Sequence, residues 1–137
     1  MRAGTAGIKD LAPSDGLLAE FRARKQALVR AGTASDAAHA AAHAAMGYRE
    51  RFLVEIKARP GALAALRQLL AEARTTDVYL MCMCPYRTPG RACHTYALLD
   101  LSSELDPAIR VLPEPVPRRQ ASSSERADRG RRRSRDR

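Results

Sequence analysis

The sequence predicts a small α/β domain, Rossmann-like, with few parallel strands flanked by helices and followed by a disordered basic tail. Three observations carry that prediction. Val78 to Met83 is a short apolar run, with polar Arg74-Thr75-Thr76-Asp77 before it and Pro85 after it, the pattern of a buried strand. Apolar residues recur at helical spacing on both sides of the run. The resulting order of helix, strand, loop and helix is the latter part of a doubly wound unit.

Taken in order, Pro13-Ser14-Asp15 opens a helix, because a hydroxyl or carboxylate there can accept from free N–H groups. Leu17, Leu18, Phe21, Leu28 and Val29 follow at roughly helical spacing until Gly32 breaks the pattern. Ala34 to Ala45 is alanine-rich, with Ser35 or Asp36 as its cap. Alanine favours helix but buries little area, so this segment is expected to be a loosely packed helix or an insertion. Its His39 and His43 share one helical face at a metal-ligand spacing, yet no acidic residue lies between them. They read as exposed, uncommitted histidines. Tyr48 to Lys57 forms the next helix, with Phe52, Leu53 and Ile56 facing inward. Pro60 suits a first helical turn, and Leu63, Leu66, Leu69, Leu70 and Ala73 form an apolar stripe behind it.

In the expected strand, Val78, Leu80 and Cys82 share one face, while Tyr79, Met81 and Met83 share the other. Both faces are apolar, which suits a central strand covered on both sides. Pro85 cannot donate to a ladder, and Pro89-Gly90 marks a turn. A helix is expected from Ala92 to Leu105, with Leu98, Leu101 and Leu105 along one side. Ile109, Val111 and Leu112 suggest a short edge strand, stopped by Pro113, Pro115 and Pro117.

The 137 residues suffice for one domain, placed at 1–112, with a disordered Arg-rich tail at 113–137. Charge is uneven. The tail carries nine Arg against four acidic residues, a net of +5 out of the chain's +9. Such a tail can bind phosphate backbones, but no aromatic follows Tyr96 for base stacking. A solvated extension is favoured, with nucleic-acid contact as the alternative function. No apolar run approaches the ~20 residues that span a bilayer, and no secretory leader opens the chain. Three cysteines, an odd number without secretory context, point to a reducing, cytoplasmic setting.

All three cysteines fall between Val78 and Leu101. Cys82 and Cys84 are expected at the carboxyl end of the strand, with Cys93 and His94 in the first turn of the following helix. Open α/β sheets bind ligands at such places. A helix start offers free N–H groups and partial positive charge, which favour a thiolate or a bound anion. Three readings stay open. One is a reactive thiol, with Cys93 and His94 as catalytic candidates. Around them Cys82, Cys84, Arg87 and Arg91 are candidates for binding a small molecule or anion. A second is a metal site of three sulfurs and one nitrogen, a set that suits zinc. No metal is favoured, because Cys-x-Cys on a straight strand separates its thiols and adjacent Cys93 and His94 point apart. The third is structural, with Cys82 as core and His94 bonded locally. A phosphatase-type loop needs five residues between Cys and Arg, whereas six separate Cys84 from Arg91. No cofactor can be named.

The same residues carry a family resemblance. A strand ending in Cys, a short loop, then Cys93-His94 opening a helix resembles the domain-of-unknown-function (DUF) 488 family. Asp10-Leu11-Ala12-Pro13-Ser14 and Tyr48-Arg49-Glu50-Arg51-Phe52-Leu53-Val54-Glu55-Ile56 resemble two further motifs of that family, in the same order. The resemblance spans roughly Ile8 to Leu105 and implies an uncharacterised α/β fold with a parallel sheet. Two departures stand out. The family's usual triplet is Cys-His-Arg, and here Thr95 follows His94. The family also places a strand before the Leu-Ala-Pro-Ser motif, where only MRAGTAGIK precedes it. The chain is therefore expected to lack that strand, through a late-placed start or its loss from this copy.

Overall fold

The computed structural model describes residues 8–82, 84 and 91–112. After a 3-10 turn at Lys9–Leu11 come five helices: α1 (Asp15–Arg30), α2 (Ser35–Ala45), α3 (Tyr48–Ala58), α4 (Pro60–Ala73) and α5 (His94–Leu105). The expected Arg-rich tail at 113–137 and candidate Arg87 lie outside the described residues.

Each helix begins where local chemistry allows. Ser14 caps α1: its Oγ accepts from the Leu17 N–H at 3.2 Å, leaving one fewer orphan donor in the first turn. Ser14 is itself held across the fold. Its Oγ donates to Glu55 Oε1 at 2.6 Å and its N–H to Oε2 at 3.0 Å. Arg59 completes the knot, pairing with Glu55 at 3.0 Å and donating to the Ala12 carbonyl at 2.7 Å. Gly47 precedes α3 with φ +56, the left-handed region that a side chain disfavours. Pro60 opens α4 at a position where no N–H is needed.

Helix α3 is the hub, packing against α1, α2, α4 and α5. Its buried face is Tyr48, Phe52 and Ile56, four residues apart and so on one stripe. Leu17 and Phe21 of α1, Ala62, Leu66 and Leu70 of α4, and Ala97, Leu98 and Leu101 of α5 close around it. Phe52, Ile56 and Leu66 are the largest fully enclosed side chains. Truncating Phe52 to alanine removes an aromatic ring from close packing, which typically costs about 3–5 kcal/mol.

The α/β, Rossmann-like expectation is wrong. The described residues contain five helices and no strand or sheet. Val78 to Cys82 carries no regular secondary structure, and no backbone hydrogen bond among the described residues pairs it with a neighbour. A ladder needs a second strand, and Ile109 to Leu112, the other candidate, is irregular as well. The side-chain alternation was read correctly, with Leu80 packed against the core and Val78 and Cys82 half-buried. The opposite face is bare: Tyr79 is 68 % and Met81 71 % exposed. Apolar residues on that face were mistaken for evidence of a second covering layer. No helix among the described residues is long and apolar enough to cross a membrane.

Candidate functional site

The segment after α4 runs along the bundle and delivers Cys82 and Cys84 to the start of α5. There Cys93 occupies the N-cap position with extended backbone (φ −151, ψ 142), and His94 is the first helical residue. An extended Cys93 followed by a helical His94 does not send the two side chains apart as the sequence reading assumed. The sulfurs of Cys82, Cys84 and Cys93 lie within 4.8 Å of one another. Those of Cys82 and Cys84 are 3.3 Å apart, and His94 Nδ1 is 3.6 Å from Cys82 Sγ. All three cysteines are free. Three sulfurs this close form a donor set that one thiophilic ion could touch, with the His94 nitrogen beside Cys82.

Burial runs opposite to expectation. Cys93 is only 7 % exposed, whereas Cys82 and Cys84 are half-buried. No sheet among the described residues covers Cys82.

The electrostatics separate the three thiols. Hydrogen bonding with Cys82 and then Cys84 holds the Cys93 thiol far below its ordinary value, against the opposing effect of burial; His94 and Thr95 push the same way. Cys84 is driven up, first by its hydrogen bond with Cys82 and then by Cys93 and burial. These contacts thus favour the ionised form at Cys93 and the protonated form at Cys84. Burial pulls His94 down, but its bonds and charge interactions with Cys82 and Cys93 outweigh that and raise it to about 9. Both shifts favour a Cys93 thiolate beside a protonated His94 near neutral pH.

Several contributing residues were not foreseen. Thr95, a departure from the family triplet, places its Oγ1 3.1 Å from Cys93 Sγ. His39 is 3 % exposed, not free in solvent. Its Nε2 stands 2.7 Å from the Ala92 carbonyl, so α2 fixes the residue just before Cys93. His43 stacks on Tyr48, ring centroids 4.6 Å apart, and its buried Nε2 has no hydrogen-bond partner among the described residues. An aromatic series runs from His39 through Phe21, Tyr48 and Phe52 to the edge of the His94 ring, with steps of 4.8 to 6.4 Å. The alanine-rich α2 conceals these roles in the sequence, because a helix of small residues gives no sign that two rings are packed from it.

Arg91 sits apart from the sulfurs. Its guanidinium lies 4.7 Å above the Tyr96 ring and pairs with Asp100 at 3.2 Å, while Arg49 holds the other Asp100 oxygen at 2.7 Å. Arg91 has φ 56, a left-handed backbone that is uncommon for a residue with a side chain. It helps to line a cavity of about 340 Å³ with His43, Arg49, Glu50, Tyr96 and Asp100. That cavity is close enough to the thiols for Cys93 and His94 to act on the charge of His43.

The family profile described as the active DUF488-N3 subclade, DUF488-N3a, matches residues 5–104 of the chain. No curated protein and no solved structure matches it significantly.

Proposed function

Because the chain belongs to the DUF488 family, we propose that it is an active member whose chemistry is nucleophilic attack by the Cys93 thiolate, with His94 as the adjacent proton carrier. The observation that carries this reading is the placement of Cys93 at the N-cap of α5, next to His94 and within 4.8 Å of two further sulfurs, contacts that favour a thiolate and a protonated imidazole. A thiolate is the reactive form of cysteine, and a neighbouring imidazolium both favours it and can hand a proton to a leaving group. The description of the matched subclade as active supports the same reading.

Cys82 and Cys84 share the site as hydrogen-bonding partners of the nucleophile. The cavity lined by Arg91, Arg49, His43 and Tyr96 is the place for a small ligand with an anionic group. Guanidiniums there can exchange part of their bonding with Asp100 for a substrate carboxylate or phosphate.

The test is the pH dependence of thiol alkylation, residue by residue, under native conditions. Iodoacetamide should modify Cys93 at a rate that is already flat between about pH 6 and 8, whereas Cys84 should stay inert until strongly alkaline pH. This comparison tolerates slow access to Cys93, since it reads the shape of the profile. A Cys93 profile that rises like an ordinary thiol would refute the reading. So would one tightly held zinc per chain by elemental analysis, lost in Cys84→Ser.

A further inference from the structure

A nucleophile needs one sulfur, and this site gathers three. Cys82 and Cys84 are not spaced as unrelated core residues: their sulfurs are 3.3 Å apart and both lie within 4.8 Å of Cys93 Sγ. A disulfide requires sulfurs about 2.05 Å apart, so side-chain rotations that bring sulfurs about one to three ångströms closer would bond a pair. His94 Nδ1 lies 3.6 Å from Cys82 Sγ, and Thr95 Oγ1 3.1 Å from Cys93 Sγ, so groups able to move or hold a proton flank both ends of that bond. Access sets the size of the oxidant. Cys93 is 7 % exposed, which admits a reagent as small as hydrogen peroxide and hinders attack on a protein disulfide.

We propose that Cys82, Cys84 and Cys93 form a thiol–disulfide redox centre whose oxidant is a small hydroperoxide, with Cys93 as the sulfur oxidised first and Cys82 as the one that closes the bond. The proposal rests on the reading of Cys93 as the nucleophile. A lone pair of the Cys93 thiolate attacks the terminal peroxide oxygen. The S–O bond forms as the O–O bond breaks, and the departing oxyanion takes the His94 proton and leaves as water or an alcohol. Cys93 is now a sulfenic acid, its sulfur oxidised by two electrons and the peroxide reduced by two. His94, now neutral, takes the Cys82 proton. The Cys82 sulfur attacks Cys93 Sγ, the S–S bond forms, the S–O bond breaks, and hydroxide leaves with that proton as water. Once Cys82 and Cys93 are bonded, the Cys93 charge that held the Cys84 proton is gone. Cys84, 3.3 Å from Cys82, gives its proton to the neutral His94 and attacks Cys82 Sγ. The Cys82–Cys84 bond forms as the Cys82–Cys93 bond breaks, and Cys93 leaves as the thiolate beside a protonated His94.

The experiment treats the reduced full chain with a small excess of hydrogen peroxide, with a chelator present, and follows it by mass spectrometry. Trypsin separates the thiols usefully. Cleavage at Arg74 and Arg87 puts Cys82 and Cys84 on one peptide, and cleavage at Arg91 puts Cys93 on another. In Cys84→Ser the two peptides should be joined, within the monomer, by a Cys82–Cys93 bond. In the native sequence, oxidation should pass on to a bond within the first peptide, and Cys93→Ser should slow that oxidation by about tenfold or more. Circular dichroism of each variant confirms that it is folded. An unchanged oxidation rate in Cys93→Ser, or over-oxidation of Cys93 to the sulfinic acid with Cys82 left as a thiol, would overturn the proposal. A flat alkylation profile for Cys93 combined with either of those results defeats this inference alone; a profile typical of an ordinary thiol defeats the underlying reading as well.

Discussion

His39 and Ala92 are 53 positions apart in the chain, yet the imidazole Nε2 of one is 2.7 Å from the carbonyl oxygen of the other. A carbonyl only accepts, so the Nε2 must carry the proton, which fixes the tautomer. The ring also packs edge-on against Phe21 at 4.8 Å. His39→Ala would leave the Ala92 carbonyl unsatisfied in the interior and remove a ring contact. We expect a loss of about 2–4 kcal/mol in urea denaturation. His39→Gln, which can still donate, should recover part of it. No recovery would mean that only ring packing matters.

Thr95 should be a positioning residue for Cys93. Its hydroxyl is one of the groups that favour the thiolate, so Thr95→Val should move the alkylation profile of Cys93 to higher pH, and Thr95→Ser should leave it in place. The predicted direction is firm and the size small, because Cys82 and Cys84 act more strongly on the same sulfur. A profile identical in all three proteins would remove Thr95 from the site.

The thiolate–imidazolium pair has a distinctive effect on stability. His94 is raised on folding to about 9, so its contribution is complete below about pH 6.5 and declines as pH rises through 9. Cys93 is lowered, so its contribution is complete above the ordinary thiol value of 9.0 and declines as pH falls. Between 6.5 and 9 the two slopes cancel, because folding merely moves one proton from sulfur to imidazole. Above 9 the raised Cys84 makes the folded form the better proton binder, and stability falls. The site should therefore add a plateau between about pH 6.5 and 9 with losses on both sides. In His94→Gln the compensation disappears, and stability should climb with pH across that window by up to about 1.4 kcal/mol per unit. Urea midpoints at four or five pH values would decide it; a flat variant would contradict the pairing.

Ser14 joins the start of α1 to α3. Ser14→Ala loses both the cap on Leu17 and the bond from its hydroxyl to Glu55, so we expect a loss of about 1–2 kcal/mol. Thermal melting should show it without any change in the alkylation profile of Cys93, since the knot lies away from the thiols. A changed profile would mean that the two regions are coupled.

Much of the helical architecture was legible in the residues. Ser14, Pro60 and Gly32 mark helix boundaries, and Phe52, Ile56, Leu66, Leu98 and Leu101 occupy the core faces that their spacing indicated. No sheet stands among the described residues. VYLMCM satisfies the local rules for a strand, but pairing is a property of two segments, and Tyr79 and Met81 ended up facing out. At the site, gathering the cysteines between residues 78 and 101 pointed to the right place. What single-residue reasoning missed was the backbone conformation at Cys93, which turns adjacent Cys93 and His94 toward one cluster, and the long reach of His39. The family match over residues 5–104 spans all three motifs that carried the resemblance.

The order in which the helices meet also bears on how the chain folds. α1 packs on α2, α2 on α3 and α3 on α4, pairs that are neighbours in sequence and close only short loops. Such contacts form fast. The cluster depends instead on distant closures, with α5 reaching back to α3, Arg49 to Asp100 and His39 to Ala92. A four-helix scaffold can thus assemble before the thiols are brought together. If the scaffold forms first, the docking of α5 is the step that brings the cysteines together.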